Sequence, residues 1–188
     1  MNSSQKQEKA SGILEKANFW ISNVDAKVSF IVSFTGVFLG FIFASDSITK
    51  SVQNYLKTIS EMSFNDLKMI LSLVATILFV ISIYFIAKAV YQLMKALKGR
   101  IDPELYKQSG LETKSSIFWG TIALKDYATF KNTFDQSEEQ QLNDIQSQAY
   151  INSLITKEKF ENYNDGLRNL QRGIVVFVIF KLLTYFPI

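Results

Sequence analysis

The stretch MILSLVATILFVISIYFIA, residues 69–87, runs for 19 residues without a charged side chain. A helix rises about 1.5 Å per residue, and roughly 17–25 apolar residues are needed to cross a bilayer core. A second uncharged run, VSFIVSFTGVFLGFIFA, covers residues 28–44 and is 17 residues long. Core helices of soluble proteins seldom extend this far without a charge, so a soluble bundle is the weaker interpretation. The two runs predict an all-α integral membrane protein with two clear transmembrane helices.

The rest of the chain divides around these two runs. Residues 45–68 contain apolar side chains at helical spacing, which predicts a short amphipathic helix outside the membrane. The second transmembrane helix is expected to project beyond the bilayer until Gly99 and Pro103 end it. The predicted segments are an amphipathic stretch lying in the membrane surface (1–22), transmembrane helix 1 (23–44), the external connector (45–68), transmembrane helix 2 (69–87), a mainly helical cytosolic segment (88–172) and a C-terminal membrane segment (173–188).

The cytosolic segment has an irregular first part and a regular second part. Residues 115–122 are consistent with a short strand or a tight loop, and 123–134 with a short helix. From 137 to 183 the pattern predicts a long helix, with acids first and bases last, as the helix dipole favours. Its apolar residues alternate in steps of three and four, which indicates a helix-packing seam. That seam comprises Phe160, Tyr163, Leu167, Leu170, Ile174 and Phe177.

The C-terminal segment is interrupted by Lys181. It is either a marginal third transmembrane helix or an interfacial anchor whose lysine extends to the headgroups. We favour the third crossing, in which case Lys181 must face a polar cavity, a partner subunit or the far headgroups. Lysine and arginine are slightly enriched beside the N-terminal side of the first span and the far end of the second. This predicts a multi-pass membrane protein in which both ends of the pair of spans, and therefore the N-terminus, lie in the cytoplasm.

Composition excludes several kinds of chemistry. The sequence has neither Cys nor His, so disulfides, Cys-type metal sites, thiol nucleophiles and histidine bases are absent. Motifs for calcium, zinc-hydrolase or phosphate-loop chemistry are missing as well. We therefore expect no enzyme, no catalytic residue, no metal and no cofactor. The net charge of +3 is too small to indicate nucleic acid and is compatible with a protein on anionic lipid.

The entrance of the first span carries Asp25 and Lys27, followed by a stripe of small residues. These are Ser29, Ser33, Gly36, Gly40 and Ala44. Their steps of three and four place them on one helix face, where another helix can approach closely. Asp25 shares that face, so we expect it to have a partner in another helix or another subunit, whereas Lys27 reaches the headgroups. Two or three short spans cannot enclose a pore alone, which predicts a homo-oligomer.

Aromatic and basic residues lie close together in the cytosolic sequence. Phe118, Trp119 and Tyr127 are near Lys125 and Arg100. A ring that stacks on a base and a cation that meets a phosphate could hold a nucleotide. Aromatic residues at helical spacing usually belong to a core, and on the residues alone that second interpretation is favoured.

The order of these features resembles the transmembrane effector family of Pycsar antiphage defence systems. The resemblance covers roughly residues 12–183. The residues that carry it are the elements Asp25-Ala26-Lys27-Val28-Ser29 and Phe34-Thr35-Gly36 at the first span, Phe118-Trp119-Gly120 with Ile122-Ala123 and Tyr127 after the second, and the pair Lys159-Phe160 in the long helix.

The resemblance implies a function that composition does not show. Effectors of this family respond to a cyclic mononucleotide, cyclic CMP or cyclic UMP, made by a partner nucleotide cyclase, and the membrane type impairs the inner membrane and stops growth. The implied partners are thus the lipid bilayer and the cyclic nucleotide. The candidate ligand-binding residues are Arg100, Phe118, Trp119, Gly120, Lys125 and Tyr127. Two alternatives are a membrane anchor that recruits a cytosolic partner through its long helix and a lytic protein that needs no ligand.

Overall fold

A computed structural model describes residues 2–61, 67–98 and 108–184. Within these ranges the chain is helical and has no strand, which confirms the predicted all-α class. The helices are α1 (Ser3–Ala44), α2 (Asp46–Glu61), α3 (Leu67–Leu97), α4 (Trp119–Ile122), α5 (Tyr127–Lys131) and α6 (Glu138–Thr184), and a 3₁₀ turn (Asn132–Asp135) links α5 to α6. Residues 115–122 therefore form a loop and a helical turn.

The chain forms two compact units, and α1 and α6 contribute residues to both. The polar unit comprises Met1–Ala26 with Lys98–Phe160, and the apolar unit comprises Lys27–Leu97 with Glu161–Ile188. Within the described ranges, α1 and α3 are the two helices long and apolar enough to cross a membrane. The end of α6 does not meet that criterion, and residues 185–188 lie outside the described ranges, so a third crossing stays a prediction.

Helix α1 is longer than predicted because it has no break at residue 22. The sequence suggested a surface helix followed by a separate span, whereas the structure has one element from Ser3 to Ala44. Its buried positions recur mostly at intervals of seven, which is typical of a helix packed along a partner helix. They are Ala10, Ala17, Val24, Val28, Thr35 and Ile42. The amphipathic pattern of residues 1–22 thus reflects packing against protein.

The core of the apolar unit is aromatic and joins four helices. Phe177 of α6 meets Phe38 of α1 with ring centroids 5.6 Å apart. Phe180, also on α6, meets Tyr55 of α2 and Phe79 of α3, with ring centroids 6.4 and 5.1 Å away. The end of α6 is therefore part of this core, and the predicted amphipathic helix in the connector is confirmed as α2.

Helices α3 and α6 approach each other closely at two glycines of α6. A methyl group on Gly166 would lie 2.7 Å from Leu93, and one on Gly173 would lie 2.7 Å from Ile86 and 3.2 Å from the Ser82 carbonyl oxygen. Glycine is the residue that permits such close helix packing. Leu170 and Phe177 of the predicted seam are buried, whereas the closest contacts with α3 are made by the two glycines, which the sequence did not single out. The buried positions here are Gly166, Asn169, Leu170, Gly173, Phe177 and Phe180.

Two sequence predictions fall outside the described residues. The sequence Ser63-Phe64-Asn65-Asp66 resembles a capping box, which predicts the start of the second span there. The second prediction is the end of that helix at Gly99 and Pro103. Helix α3 continues to Leu97, ten residues beyond the apolar run, as predicted. Its buried face repeats small residues at intervals of seven, namely Ala75, Ser82, Ala89 and Ala96.

Candidate functional site

An ion pair with one buried member joins α1 and α6 within the polar unit. The Lys159 amine donates a hydrogen bond of 2.6 Å to the Asp25 carboxylate. The lysine side chain is 7% exposed and the aspartate side chain 38% exposed. The expectation that Asp25 has a partner in another helix is confirmed, and that partner belongs to the same chain. The contact joins two sequence elements that carried the family resemblance, 134 residues apart.

Polar contacts continue along this helix pair. The Asn152 side chain donates to that of Asn18 over 2.7 Å, and the Thr156 hydroxyl lies 3.4 Å from the Ala17 carbonyl oxygen. The rings of Trp20 and Phe160 meet edge to face with centroids 6.0 Å apart. Because a polar pair within a helix seam fixes register, α1 and α6 are locked side by side here.

The predicted small-residue stripe of α1 faces away from the helices of the same chain. Ser29, Ser33, Gly36 and Gly40 are all exposed, and so is Lys27. A methyl group added at either glycine would meet nothing within 4 Å among the described residues. The intramolecular packing face is the buried seven-residue repeat of α1. A role for the stripe in contacting another subunit therefore stays a proposal.

Hydrogen bonds to side chains of α6 hold the irregular segment between α3 and α6 in place. Asp144, which is buried, accepts hydrogen bonds from the Ser116 backbone N–H at 2.6 Å and from the Ser116 hydroxyl at 2.7 Å. The Ser147 hydroxyl oxygen accepts from the backbone N–H of Glu112 at 2.9 Å. These contacts position the turn that carries Phe118. Asp144 could not be singled out from the sequence, because one of its two donors is a backbone N–H.

The predicted ligand-binding residues on this segment are not gathered into one pocket. Trp119 is 72% exposed and Tyr127 is 79% exposed, so the interpretation of these two rings as core is wrong. Phe118 is partly buried, and a methyl group on Gly120 would strike its ring at 2.5 Å. The Lys125 amine lies 3.3 Å from a backbone carbonyl oxygen of the same segment, to which it donates a hydrogen bond. Arg100 lies outside the described residues.

A small cleft of about 270 Å³ lies beside this segment. It is lined by Glu112, Thr113, Ser115, Phe118, Gly120, Thr121, Leu124 and Gln148. The next helix, α5, is capped by Asp126, whose side chain accepts a hydrogen bond from the Thr129 backbone N–H at 2.8 Å. That backbone hydrogen bond, with a second from the Thr129 hydroxyl, lowers the pKa of Asp126 below its ordinary value. The cap stays charged at neutral pH and holds α5 in place.

A larger groove in the polar unit was not anticipated from the sequence. It has a volume of about 1090 Å³ and lies between the first turns of α1 and the first half of α6. Its walls carry Lys6 and Lys9 from α1 and Tyr150 from α6. Among the described residues, no group of three or more carboxylate side chains lies close enough together to hold a metal ion.

Lys181 lies in the aromatic part of α6, next to Phe180. Its side chain is neither fully buried nor fully exposed, and it takes part in at least one interaction. Because Phe180 belongs to the core of the apolar unit, the lysine is placed beside that core by helix geometry. Its proposed functional role is not decided by this placement.

The fold and these contacts define a helical membrane protein with two apolar spans and a polar unit built on the same long helices. Residues 9–185 match the family described as the Pycsar effector protein domain, PycTM. The chain is 36% identical over 182 residues to the Pycsar effector protein GmPycTM of Gulbenkiania mobilis, covering 95% of this chain and 93% of that protein. The chain therefore belongs to the family of Pycsar transmembrane effectors of antiphage defence, and the resemblance seen in the sequence is confirmed. No solved structure matches it.

Proposed function

We propose that the protein senses a cyclic mononucleotide in its polar unit and permeabilises the bacterial inner membrane in response. Cyclic CMP or cyclic UMP, made by a partner cyclase, is the expected signal, and growth arrest or cell death is the outcome. The N-terminus and the polar unit lie in the cytoplasm. Membership of the effector family supports this proposal.

The observation that carries the proposal is the continuity of α1. This single helix begins in the polar unit and ends in an apolar span, with no break in between. A change in the polar end of a continuous helix is transmitted along its length, since the backbone hydrogen bonds resist local bending. A ligand causes such a change only if it binds one arrangement of the helices better than another.

The Asp25–Lys159 pair is the proposed coupling point between sensing and the membrane response. It lies at the last turn of α1 before the span and ties α1 to α6. A charged pair with one buried member has few alternative positions, because separating the two side chains leaves the buried charge without this counter-charge. Any rearrangement of α1 and α6 then takes place between a few distinct positions of the two helices. Lys181, within the apolar part of α6, is proposed to line or regulate the path that opens.

Oligomerisation is part of the proposal because one chain has too few spans to enclose a pore. The exposed stripe of Ser29, Ser33, Gly36 and Gly40 supports it, since open space surrounds both glycines and small residues favour close helix contact in lipid. Cross-linking of the protein in membranes, before and after a cyclic nucleotide is added, measures the state directly.

Dye leakage from liposomes tests the proposed function. The purified full-length protein is reconstituted in vesicles loaded with a fluorescent dye, and cyclic CMP, cyclic UMP, cyclic AMP and cyclic GMP are added separately. We expect leakage with at least one pyrimidine nucleotide and none with buffer. Correctly inserted protein that causes no leakage with any of the four nucleotides contradicts the proposal, whereas leakage without nucleotide supports a constitutive lytic protein.

A second candidate function is a membrane anchor that recruits a cytosolic protein. Large exposed apolar side chains on the segment between α3 and α6 favour it, namely Ile117, Trp119, Leu124, Tyr127 and Phe134. Exposed apolar side chains mark an interaction site where they adjoin one another. This function predicts that a partner co-purifies in the absence of nucleotide and that unrelated spans can replace α1 residues 27–44 and α3 without loss of activity.

A further inference from the structure

The groove between α1 and α6 in the polar unit has the size and lining of a site for a small charged ligand. Its volume of about 1090 Å³ is just above the range of ordinary ligand sites, roughly 300–1,000 Å³. The cleft beside Phe118, at about 270 Å³, is below that range. A ligand the size of a mononucleotide therefore fits the groove better than the cleft.

Small residues at the interface of the two helices create the groove. Ala10 of α1 and Ala149 of α6 are both buried and both line it. Longer side chains stand on either side, with Lys6 and Lys9 on α1 and Tyr150 on α6. The Tyr150 hydroxyl donates to the side chain of Gln108 over 3.2 Å, which fixes the orientation of the ring.

The lining combines the three kinds of group that recognise a nucleotide. Lys6 and Lys9 supply ammonium donors for a phosphate oxygen. The half-exposed Tyr150 ring offers an aromatic surface to a base. Asn143 and Gln146 carry amides, which donate and accept hydrogen bonds at a base edge.

The charge of the groove selects against polyanions. Two glutamates, Glu112 and Glu139, also line it and offset the two lysines. A ligand with several negative charges meets these carboxylates at a cost, whereas a monoanion engages the lysines and leaves the carboxylates to accept from its hydroxyl or amino groups. The groove is thus suited to a phosphodiester with a single negative charge and one base.

We propose that this groove binds a monoanionic cyclic phosphodiester carrying a single base. The inference rests on the proposed function, which supplies a ligand of the same chemical class. Glu112 lines both the groove and the cleft beside Phe118, and its backbone N–H is held by Ser147 of α6. A ligand in the groove therefore contacts a residue of the segment that exposes Trp119 and can change the position of that segment.

The test is a binding titration of the full-length protein in nanodiscs with the four cyclic mononucleotides as probes. The variant is Lys6→Gln with Lys9→Gln, and Tyr150→Leu is a second one. Lys16→Gln is the matched control, because Lys16 is exposed on the same helix and does not line the groove. We expect Kd to rise about tenfold or more in both groove variants, since a hydrogen bond to a charged group and a stacked base each contribute that much, and to stay unchanged in the control.

Liposome leakage by the same proteins distinguishes a failure of the proposed binding groove from a failure of the proposed function. If the wild-type protein binds a probe and both groove variants bind it with unchanged Kd, the groove inference is overturned and the proposed function stands. If the wild-type protein neither binds nor leaks with any probe, the proposed function fails, and the groove inference with it. ATP serves as a polyanionic probe, and binding of ATP as tight as that of the cyclic nucleotides contradicts the charge argument. Unchanged helix content by circular dichroism verifies that each variant is folded.

Discussion

Removing Asp25 and removing Lys159 should have unequal costs, although the two residues form one ion pair. Their side chains are 38% and 7% exposed. Lys159→Met leaves a carboxylate that water can still reach, whereas Asp25→Ala takes the carboxylate away from an ammonium group that is already buried. Breaking a pair is costly mainly through the buried charge that loses its counter-charge. Asp25→Ala should therefore be the more destabilising of the two.

The coupling between the two residues follows from the same exposures. A hydrogen bond to a charged group contributes about 1.5–3 kcal/mol, and a fully exposed ion pair contributes at most about 1 kcal/mol. One end of this pair is buried and the other is partly solvated, which places its coupling free energy at about 1–2 kcal/mol. The double variant Asp25→Ala with Lys159→Met should be more stable than the sum of the single costs predicts, by that amount.

A double-mutant cycle measures this quantity. The free energy of unfolding of the wild-type protein, the two single variants and the double variant is determined by titration with SDS in mixed micelles. Lys27→Met is the matched control, because Lys27 is exposed on the same helix two residues away. A coupling free energy below about 0.5 kcal/mol, or a larger cost for Lys159→Met than for Asp25→Ala, would refute the reasoning from burial.

Three further predictions follow from single contacts. Gly173→Ala should destabilise the protein by about 1–3 kcal/mol through overpacking against Ile86, whereas Gly12→Ala, in open space on α1, should stabilise it by about 0.5–1 kcal/mol, as measured by the same SDS titration. Asp144→Ala should release the segment 112–121 from α6 and speed its amide hydrogen exchange about 10- to 150-fold, with α3 unchanged as the internal control. Trp119→Ala should leave stability unchanged because the ring is 72% exposed, yet abolish nucleotide-induced leakage; retained leakage would show that this ring has no part in the response.

The sequence predicts where the helices lie along the chain, but it does not predict which face of each helix packs against another helix. Uncharged runs and helical spacing predicted the two spans, the connector helix and the long C-terminal helix, because length and periodicity are local properties. The small-residue stripe of α1 predicted a packing face that the chain itself does not use. Both Gly36 and Gly173 are plain glycines in apolar helices, and only the position of a second helix distinguishes an open site from a crowded one.

The candidate site shows the same division. Asp25 was recognised as a residue that needs a partner, since an acid at a membrane boundary is costly alone. Its partner Lys159 is 134 residues away, and no spacing rule connects the two. The role of Asp144 was missed because its hydrogen-bond donors include a backbone N–H, and the groove was missed because it depends on the small size of Ala10 and Ala149, which are unremarkable in sequence.

The polar pairs between the helices set a lower limit on how much more tightly a ligand must bind one helix arrangement than the other. Within the polar unit Asn152 meets Asn18, and within the apolar unit Asn169 donates to Gln92 over 2.6 Å. A shift of α6 by one turn separates such pairs, and each net hydrogen bond is worth about 0.5–1.5 kcal/mol. Together with the coupling free energy of the Asp25–Lys159 pair, the free-energy cost of the new register is about 2–5 kcal/mol. A ligand must therefore bind the shifted arrangement roughly 30- to 5,000-fold more tightly than the resting one, since each tenfold ratio is about 1.4 kcal/mol. A single neutral hydrogen bond, at about 0.5–1.5 kcal/mol, does not supply such a ratio. The responding site must therefore engage its ligand through charged groups or through several groups at once, as a charged groove with an aromatic wall does.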